Sequence, residues 1–156
     1  MDKELNVKEV AFTKVTQWLS DQGFRVKVTT RNKNVESETQ FEAEVYPRKG
    51  GPEFFYITFG SKTNDSFSIN STINFSEEDK RSIEAVKERV QDQVYIDIRK
   101  LVYPLGINCD TTFPQISFHK LVFIDSLRDK QYFFDSVAKL FNAMLLVSLR
   151  FRELMP

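Results

Sequence analysis

The sequence predicts an α+β protein with two layers, in which three helices cover an antiparallel sheet of five to six strands. Three segments have apolar residues at helical spacing, and the segments between them alternate apolar and polar residues, as half-buried strands do. Short connections make neighbouring strands antiparallel. The predicted order is α-β-β-β(-β)-α-β-β-α. A length of 156 residues suits one core, so residues 1–156 are expected to form a single domain.

Residues 3–22 form the first predicted helix. Four apolar residues fall on one stripe at the spacing of an amphipathic helix: Ala11, Val15, Trp18 and Leu19. Gly23 follows the stripe, and glycine commonly occupies the left-handed position just past a helix. The first helix is therefore predicted to end at this glycine.

Three or four strands follow the first helix. Their predicted ranges are 24–29, 41–46, 54–59 and 67–73. The first two alternate apolar with polar residues, and Pro47 stops the second. The third is apolar at nearly every position. Residues 31–38 contain a single apolar residue, Val35, and are predicted to be an exposed loop.

Ser76 begins the second predicted helix, with Asp79 three residues later in the manner of a capping box. Apolar residues then recur at spacings of three and four, which indicates one continuous helix to residue 105. Pro104 and Gly106 mark its end. The apolar stripe comprises Ile83, Val86, Val90, Val94, Ile98, Leu101 and Leu105.

A β-hairpin and a third helix complete the prediction. Residues 107–112 and 116–124 flank a short turn centred on Pro114. The last helix begins at Asp125 or Ser126. Its apolar side, which should face the core, comprises Phe134, Val137, Phe141, Met144, Leu145 and Leu149.

Residues 116–134 resemble part of an uncharacterised, mainly archaeal domain family, in which an apolar strand meets a capped helix. The match consists of the cap from Asp125 to Lys130 and the pair Phe133-Phe134. The chain departs at Ser126, where the family has glycine, and at Arg128, where it has threonine. The element order of the chain is also similar to the fold of type III secretion chaperones. The family has no assigned activity, so the resemblance implies no functional residue.

Composition narrows the possible functions. The 22 basic and 22 acidic residues cancel, which disfavours nucleic acid and anionic membranes as partners. A single cysteine and a single histidine predict no metal site, and no cofactor is expected. The longest apolar stretch, residues 140–149, is too short to span a bilayer, and the first residues lack a signal peptide. A cytoplasmic protein without a membrane partner is therefore expected.

Cys109 and His119 are the one conventional reactive pair. If the hairpin turn centres on Pro114, the two residues lie directly opposite each other on one face of the sheet. A thiol beside an imidazole can act as an activated nucleophile, so a small enzyme or ligand-binding protein is one hypothesis. A shift of one residue in register would place the two on opposite faces. The alternative is a half-buried cysteine and a surface histidine.

A basic strip is the basis of a second hypothesis, in which the chain binds single-stranded nucleic acid weakly. Aromatic residues 54–56 could stack on bases beside the strip. The acids Glu36, Glu38, Glu42 and Glu44 would cancel much of the electrostatic field of the strip, which disfavours nucleic acid as a partner. The strip comprises Arg25, Lys27, Arg31, Lys33, Arg48 and Lys49.

The 15 phenylalanines favour a third hypothesis, a non-enzymatic module that binds protein or peptide. Residues 54–59 and 121–124 are apolar on both faces, whereas a sheet covered on one side should be polar on the other. A partner chain, a second copy in a homodimer, or a folded-in loop could cover the second face. The candidate binding residues are Phe54, Tyr56, Leu121 and Phe123. This interaction module, with a chaperone-like role in view of its fold, is the preferred prediction.

Overall fold

The computed structural model describes residues 2–31, 38–51, 53–86, 88–111 and 115–153. These residues form four α-helices and one antiparallel sheet of six strands, in the order β1-β2-β3-β4-β6-β5. The α+β class is confirmed. Most of the predicted loop at 31–38 lies outside the described residues, namely residues 32–37 with Lys33, Val35 and Glu36. The centre of the hairpin turn, residues 112–114, also lies outside them.

The helices and strands follow one another in nearly the predicted order. The strands are β1 Arg25–Arg31, β2 Thr39–Tyr46, β3 Phe55–Gly60, β4 Ser66–Asn74, β5 Ile107–Asp110 and β6 Gln115–Phe123. The helices are α1 Asp2–Asp21, α2 Glu77–Glu84, α3 Glu88–Val102 and α4 Lys130–Arg152. Short 3-10 turns cover Tyr103–Leu105 and Ile124–Arg128.

The backbone divides into two compact units. Unit 1 comprises Met1–Asn70 and Leu121–Ser136, and unit 2 comprises Ser71–Lys120 and Val137–Pro156. The expectation that residues 1–156 form a single domain remains a prediction.

Unit 1 has an aromatic core. Its α1 packs against β1 and β2, and the stripe residues Ala11, Val15 and Leu19 are buried as predicted. Phe59 stacks on Phe67 with ring centroids 4.4 Å apart, the offset geometry that aromatic pairs favour. The fully buried rings of this unit are Phe12, Phe41, Phe55, Phe59, Phe67 and Phe133.

A lysine is buried in the same core. The Lys8 ammonium donates to Gln40 Oε1 at 3.0 Å and to the Gly60 carbonyl oxygen at 2.9 Å. Only 2% of the residue is exposed. A buried cation requires hydrogen-bond acceptors, and these bonds join α1 to β2 and β3. Lys8 therefore fixes the position of the helix on the strands.

Unit 2 has a core that is mostly aliphatic. Its α3 packs against β5. Phe151 lies 4.9 Å from Phe75 and 6.5 Å from Tyr95, measured between ring centroids. The remaining core side chains include Val94, Ile98, Val102, Ile107, Ile116, Leu140 and Val147.

The predicted helix over 76–105 is two helices, so the prediction of three helices is wrong. Ser76 caps α2 as predicted, accepting a bond from the Asp79 backbone N–H at 3.0 Å. The helix ends at Ala85. The Gln91 amide donates to the carbonyl oxygens of Ile83 and Val86, at 3.0 and 2.7 Å. Apolar spacing continues across the break, which is why periodicity did not reveal it.

The predicted register of the hairpin is also wrong. His119 pairs with Asn108, and Cys109 pairs with Phe118. The observed register places Ile107 on the same face as the buried Phe118, whereas the predicted one would have turned it outward. A shift of one residue moves every side chain to the other face, so the apolar pattern determines the register.

The buried side of α4 differs from the predicted one. Leu145 and Leu149, predicted to face the core, are exposed, and Phe134, Phe141 and Met144 are only partly buried. The buried side comprises Phe133, Val137, Leu140, Ala143, Val147 and Phe151. Between residues 140 and 149 only Asn142 and Ser148 are polar, so α4 has two apolar sides and its sequence does not distinguish them.

Candidate interaction surfaces

The outer face of the unit 1 sheet, which points away from α1, is polar. Tyr56 lies opposite Glu44 on β2 and Asn70 on β4. Thr58 lies opposite Glu42 and Ser68 in the same way. Hydrogen bonds also join side chains two residues apart along single strands of this face. Tyr46 Oη donates to Glu44 Oε2 on β2, and Asn70 Nδ2 donates to Ser68 Oγ at 3.0 Å on β4.

The prediction that β3 is apolar on both faces is therefore wrong. Phe55, Ile57 and Phe59 are buried on the inner side. The outward positions Tyr56 and Thr58 are partly buried among acids and amides. Burial and then the nearby Glu42 and Glu53 carboxylates raise the pKa of Tyr56. Tyrosine and threonine have apolar atoms, which is why the strand was predicted to be apolar on both faces. Their hydroxyl groups nevertheless allow them to lie on a face that is exposed to water.

The other three candidate binding residues are exposed. Leu121 and Phe123 leave 48% and 46% of their surface accessible, while Val122 between them is buried. Phe54 is 37% exposed, and its ring lies 6.2 Å from that of Phe24. Leu121 also borders a groove of about 430 Å³ on unit 1. The groove is otherwise mostly polar, with Thr39, Thr58, Thr63, Ser68, Glu38 and Lys62 in its lining.

The predicted basic strip is interrupted. Lys27 lies opposite Glu44, and the Arg25 guanidinium lies over the Tyr46 ring. Arg31 points to the inner side, where it covers the ring of Phe12. Phe55, one of the aromatic residues assigned to base stacking, is buried. Within the described residues no continuous track for a phosphate backbone remains.

Cys109 and His119 are not brought together, since residues in adjacent pairs of the hairpin point to opposite faces. Burial raises the pKa of the Cys109 thiol to about 11, which leaves it protonated at neutral pH. A protonated thiol is a poor nucleophile. The hypothesis of a reactive pair loses its geometric basis. The described part of the chain also has no group of three His, Cys, Asp or Glu side chains that could hold a metal ion.

Unit 2 has an apolar surface on α3 and α4, and three of its four residues, Leu101, Leu145 and Leu149, lie on stripes that were predicted to face the core. We call it the leucine surface, and it comprises Leu101, Leu145, Leu146 and Leu149. These side chains are 38–59% exposed. Three of them line a groove of about 500 Å³ between the two helices, and Leu145, the most exposed, lies outside its lining.

Charged side chains of both signs border the groove. Arg150 bonds to Asp97 at 3.0 Å and to Glu153 at 2.6 Å. A hydrogen bond from Gln93, followed by that from Arg150, lowers the pKa of the Asp97 carboxyl. Lys100 completes the rim. An apolar centre within a charged rim is the usual anatomy of a protein interface.

By length and mean hydropathy alone, α4 is long and apolar enough to cross a membrane. The apolar stretch at 140–149, on which the prediction was based, is only part of this helix. Core helices of soluble proteins can be equally long and apolar. One side of α4 is occupied by buried residues such as Phe133, Leu140 and Val147. The expectation that the chain has no membrane partner remains a prediction.

Comparison with known proteins identifies a family but no activity. Residues 12–151 match the model of a family described as "Uncharacterized conserved protein (DUF2299)". A solved structure described as "Crystal structure of an uncharacterized protein from Methanothermobacter thermautotrophicus" is similar, with a TM-score of 0.77 and 18% identity. The alignment covers 94% of this chain and 99% of that one, and at this identity it shows the fold alone. Comparison with curated proteins gave no significant match. The predicted resemblance to an uncharacterised family is confirmed, whereas the likeness to secretion chaperones remains a prediction.

Proposed function

The chain belongs to this uncharacterised conserved family, and we propose that it is a non-enzymatic protein-interaction module that binds a polypeptide partner. The observation that carries the proposal is the leucine surface of unit 2. Four leucines at this exposure leave on the order of 300 Å² of apolar area in contact with water, the size of the largest patch on a typical monomer. Such patches commonly mark binding sites.

The leucine surface is separate from the packing of unit 2. Val147 and Phe151 are fully or almost fully buried on the other side of α4. The exposed leucines therefore add little to the core that holds the helix in place. Leucine on a solvent-facing helix stripe is favourable when a partner covers it, since burial removes its area from water.

The exposed apolar area of the leucine surface limits its affinity for a partner. At roughly 25 cal/mol per Å², burying the leucine surface contributes about 7 kcal/mol from this side of an interface. Association itself costs about 4–15 kcal/mol, so contacts from the partner and the rim decide whether binding is measurable. The surface suits a partner of micromolar affinity more than a permanent complex.

The alternatives have less support. An enzyme using Cys109 and His119 would need them on one face, and the register separates them. A nucleic-acid binder would need a basic track, which Glu44 interrupts at Lys27. The surface at Leu121 and Phe123 remains the second candidate for protein binding, because both side chains are exposed on unit 1.

Selection from a phage-displayed library of random short peptides would test the proposal. Enriched peptides should bind the full chain in a fluorescence anisotropy titration. Leu149→Gln should weaken this binding at least about tenfold, because it removes an apolar side of the groove. Phe123→Gln, a similarly exposed residue in unit 1, is the matched control and should leave the affinity unchanged.

Three outcomes contradict the proposal. Failure to enrich any peptide above background argues against polypeptide binding. Loss of binding in Phe123→Gln but not Leu149→Gln moves the site to unit 1. Co-sedimentation with vesicles of mixed neutral and anionic lipids that is lost in Leu149→Gln, without peptide binding, identifies a membrane as the occupant instead.

A further inference from the structure

We infer that the partner of the leucine surface is a second copy of this chain, an inference that rests on the proposed function. The surface carries both halves of a self-complementary contact. Leu145 projects 59% exposed beside the groove, and Leu101, Leu146 and Leu149 line the groove itself. In a two-fold dimer each copy presents the same patch, so a projecting residue and a recess on one surface can engage each other twice.

Helical geometry brings the projection and the recess within reach of each other. Leu145 and Leu149 are four residues apart on α4, and residues at this spacing are neighbours on a helix surface. Leu146 lies beside them at the edge of the groove. Two copies of α4 can therefore pack so that Leu145 of each enters the groove of the other, as a knob enters a hole.

The charges on the rim favour a second copy over a partner of one charge sign. Asp97 and Glu153 are negative, and Lys100 and Arg150 are positive. A strongly acidic or basic peptide would gain little from this rim, because one half attracts it and the other half repels it. A second copy presents the same balanced set, so opposite signs can meet across the two-fold axis.

The area sets the strength of the dimer. A standard interface buries about 800 Å² on each partner, and the leucine surface supplies less than half of that. The remainder has to come from the rim, where exposed ion pairs contribute little. The dimer is therefore expected to dissociate in the micromolar range, which sedimentation can follow by dilution from about 200 to about 5 μM.

Sedimentation velocity on the full chain tests this inference. The unmodified chain should show a monomer–dimer equilibrium over this range. Leu145→Lys should raise the dissociation constant at least about tenfold, because it places a charge in the groove of the partner. Leu121→Lys alters a leucine of similar exposure in unit 1 and should leave the dissociation constant unchanged. Circular dichroism and urea midpoints establish whether both variants are folded. If Leu145→Lys does not fold, Leu145→Gln is the milder replacement.

A second experiment locates the contact. A nitroxide attached at Leu145→Cys in a Cys109→Ala background, mixed with isotope-labelled unmodified chain, should broaden the methyl signals of Leu101, Leu146 and Leu149 in the labelled copy. Broadening of Leu121 instead would place the interface on unit 1 and overturn the inference.

The results separate this inference from the proposed function. A chain that stays monomeric at about 200 μM, yet binds selected peptides through Leu149, refutes the second copy and leaves the interaction module in place. A dimer that Leu121→Lys disrupts, and Leu145→Lys does not, refutes the inference. A monomer that binds no peptide refutes both.

Discussion

The two units of this protein differ in the type of apolar side chain that fills the core. Unit 1 buries a cluster of phenylalanines. The outer face of its sheet, which is exposed to solvent, has tyrosine, threonine, glutamate and asparagine side chains. Unit 2 is built mainly on aliphatic residues, and it leaves four leucines exposed on α3 and α4. The abundance of a residue type therefore did not indicate where apolar surface would be available for binding. Most phenylalanines form the core of unit 1, whereas four leucines of unit 2 form an exposed surface.

A core substitution in each unit would sharpen this comparison most. Phe59→Ala should lower the free energy of unfolding by about 3–5 kcal/mol, because it removes stacking on Phe67 and leaves a cavity. Ile98→Ala in unit 2 should cost about 2–5 kcal/mol, without a contribution from ring stacking. Urea unfolding followed by circular dichroism measures both values. A loss below about 1 kcal/mol for Phe59→Ala would contradict an aromatic core.

The buried lysine is the second distinction between the units. Lys8→Met keeps most of the apolar stem but removes the ammonium that bonds to Gln40 and the Gly60 carbonyl. We expect a loss of about 2–3 kcal/mol, since buried acceptors lose a charged donor. Lys3→Met, at an exposed lysine on the same helix, is the control and should change stability by less than about 0.5 kcal/mol. Equal effects at both sites would show that Lys8 has no special role.

Removal of the cap at the start of α2, in unit 2, should have a smaller effect on stability. Ser76→Ala removes the oxygen that accepts from the Asp79 backbone N–H and should cost about 1 kcal/mol. Ser20→Ala, at an exposed position inside α1, controls for the change in helix propensity. Urea midpoints measure both, and a Ser76→Ala midpoint equal to that of the unmodified chain would show that the cap is not formed in solution.

Cys109 gives the smallest effect on stability at neutral pH and a large one on reactivity. Its pKa rises from 9.0 to about 11 in the folded chain, so the unfolded thiol ionises first as the pH increases. Stability from this group is complete below pH 9 and decreases between pH 9 and about 11, a decrease that Cys109→Ala should remove. At pH 8 the folded thiol should react with iodoacetamide about 100-fold more slowly than in urea. Equal rates would place Cys109 in water.

Much of the fold could be predicted from local patterns. Gly23 ends α1 with a positive φ of 89°, Pro47 follows β2, and Ser76 caps α2, each as the residue type predicts. Alternation in residues 41–46 identified both the strand and its buried side. These features depend on the backbone preferences of a residue and its immediate neighbours, so the sequence contains them.

The candidate site was harder to predict because it depends on which of two apolar sides becomes buried. On α4 both Val147 and Leu145 satisfy a helical stripe, and periodicity alone favours neither. In the hairpin, the registers that pair His119 with Asn108 or with Cys109 differ by one residue. The buried side of a helix and the register of a hairpin are decided by residues distant in sequence that pack against them in the folded chain.

By itself the sequence determined the α+β class and the order of helices and strands apart from the break between α2 and α3, since these follow from local spacing and capping. The tertiary structure alone decided that most phenylalanines of unit 1 would be enclosed, and that Leu101, Leu145, Leu146 and Leu149 of unit 2 would be exposed. Burial depends on the shape of the neighbouring surface, because a side chain leaves water only where other residues are placed to cover it.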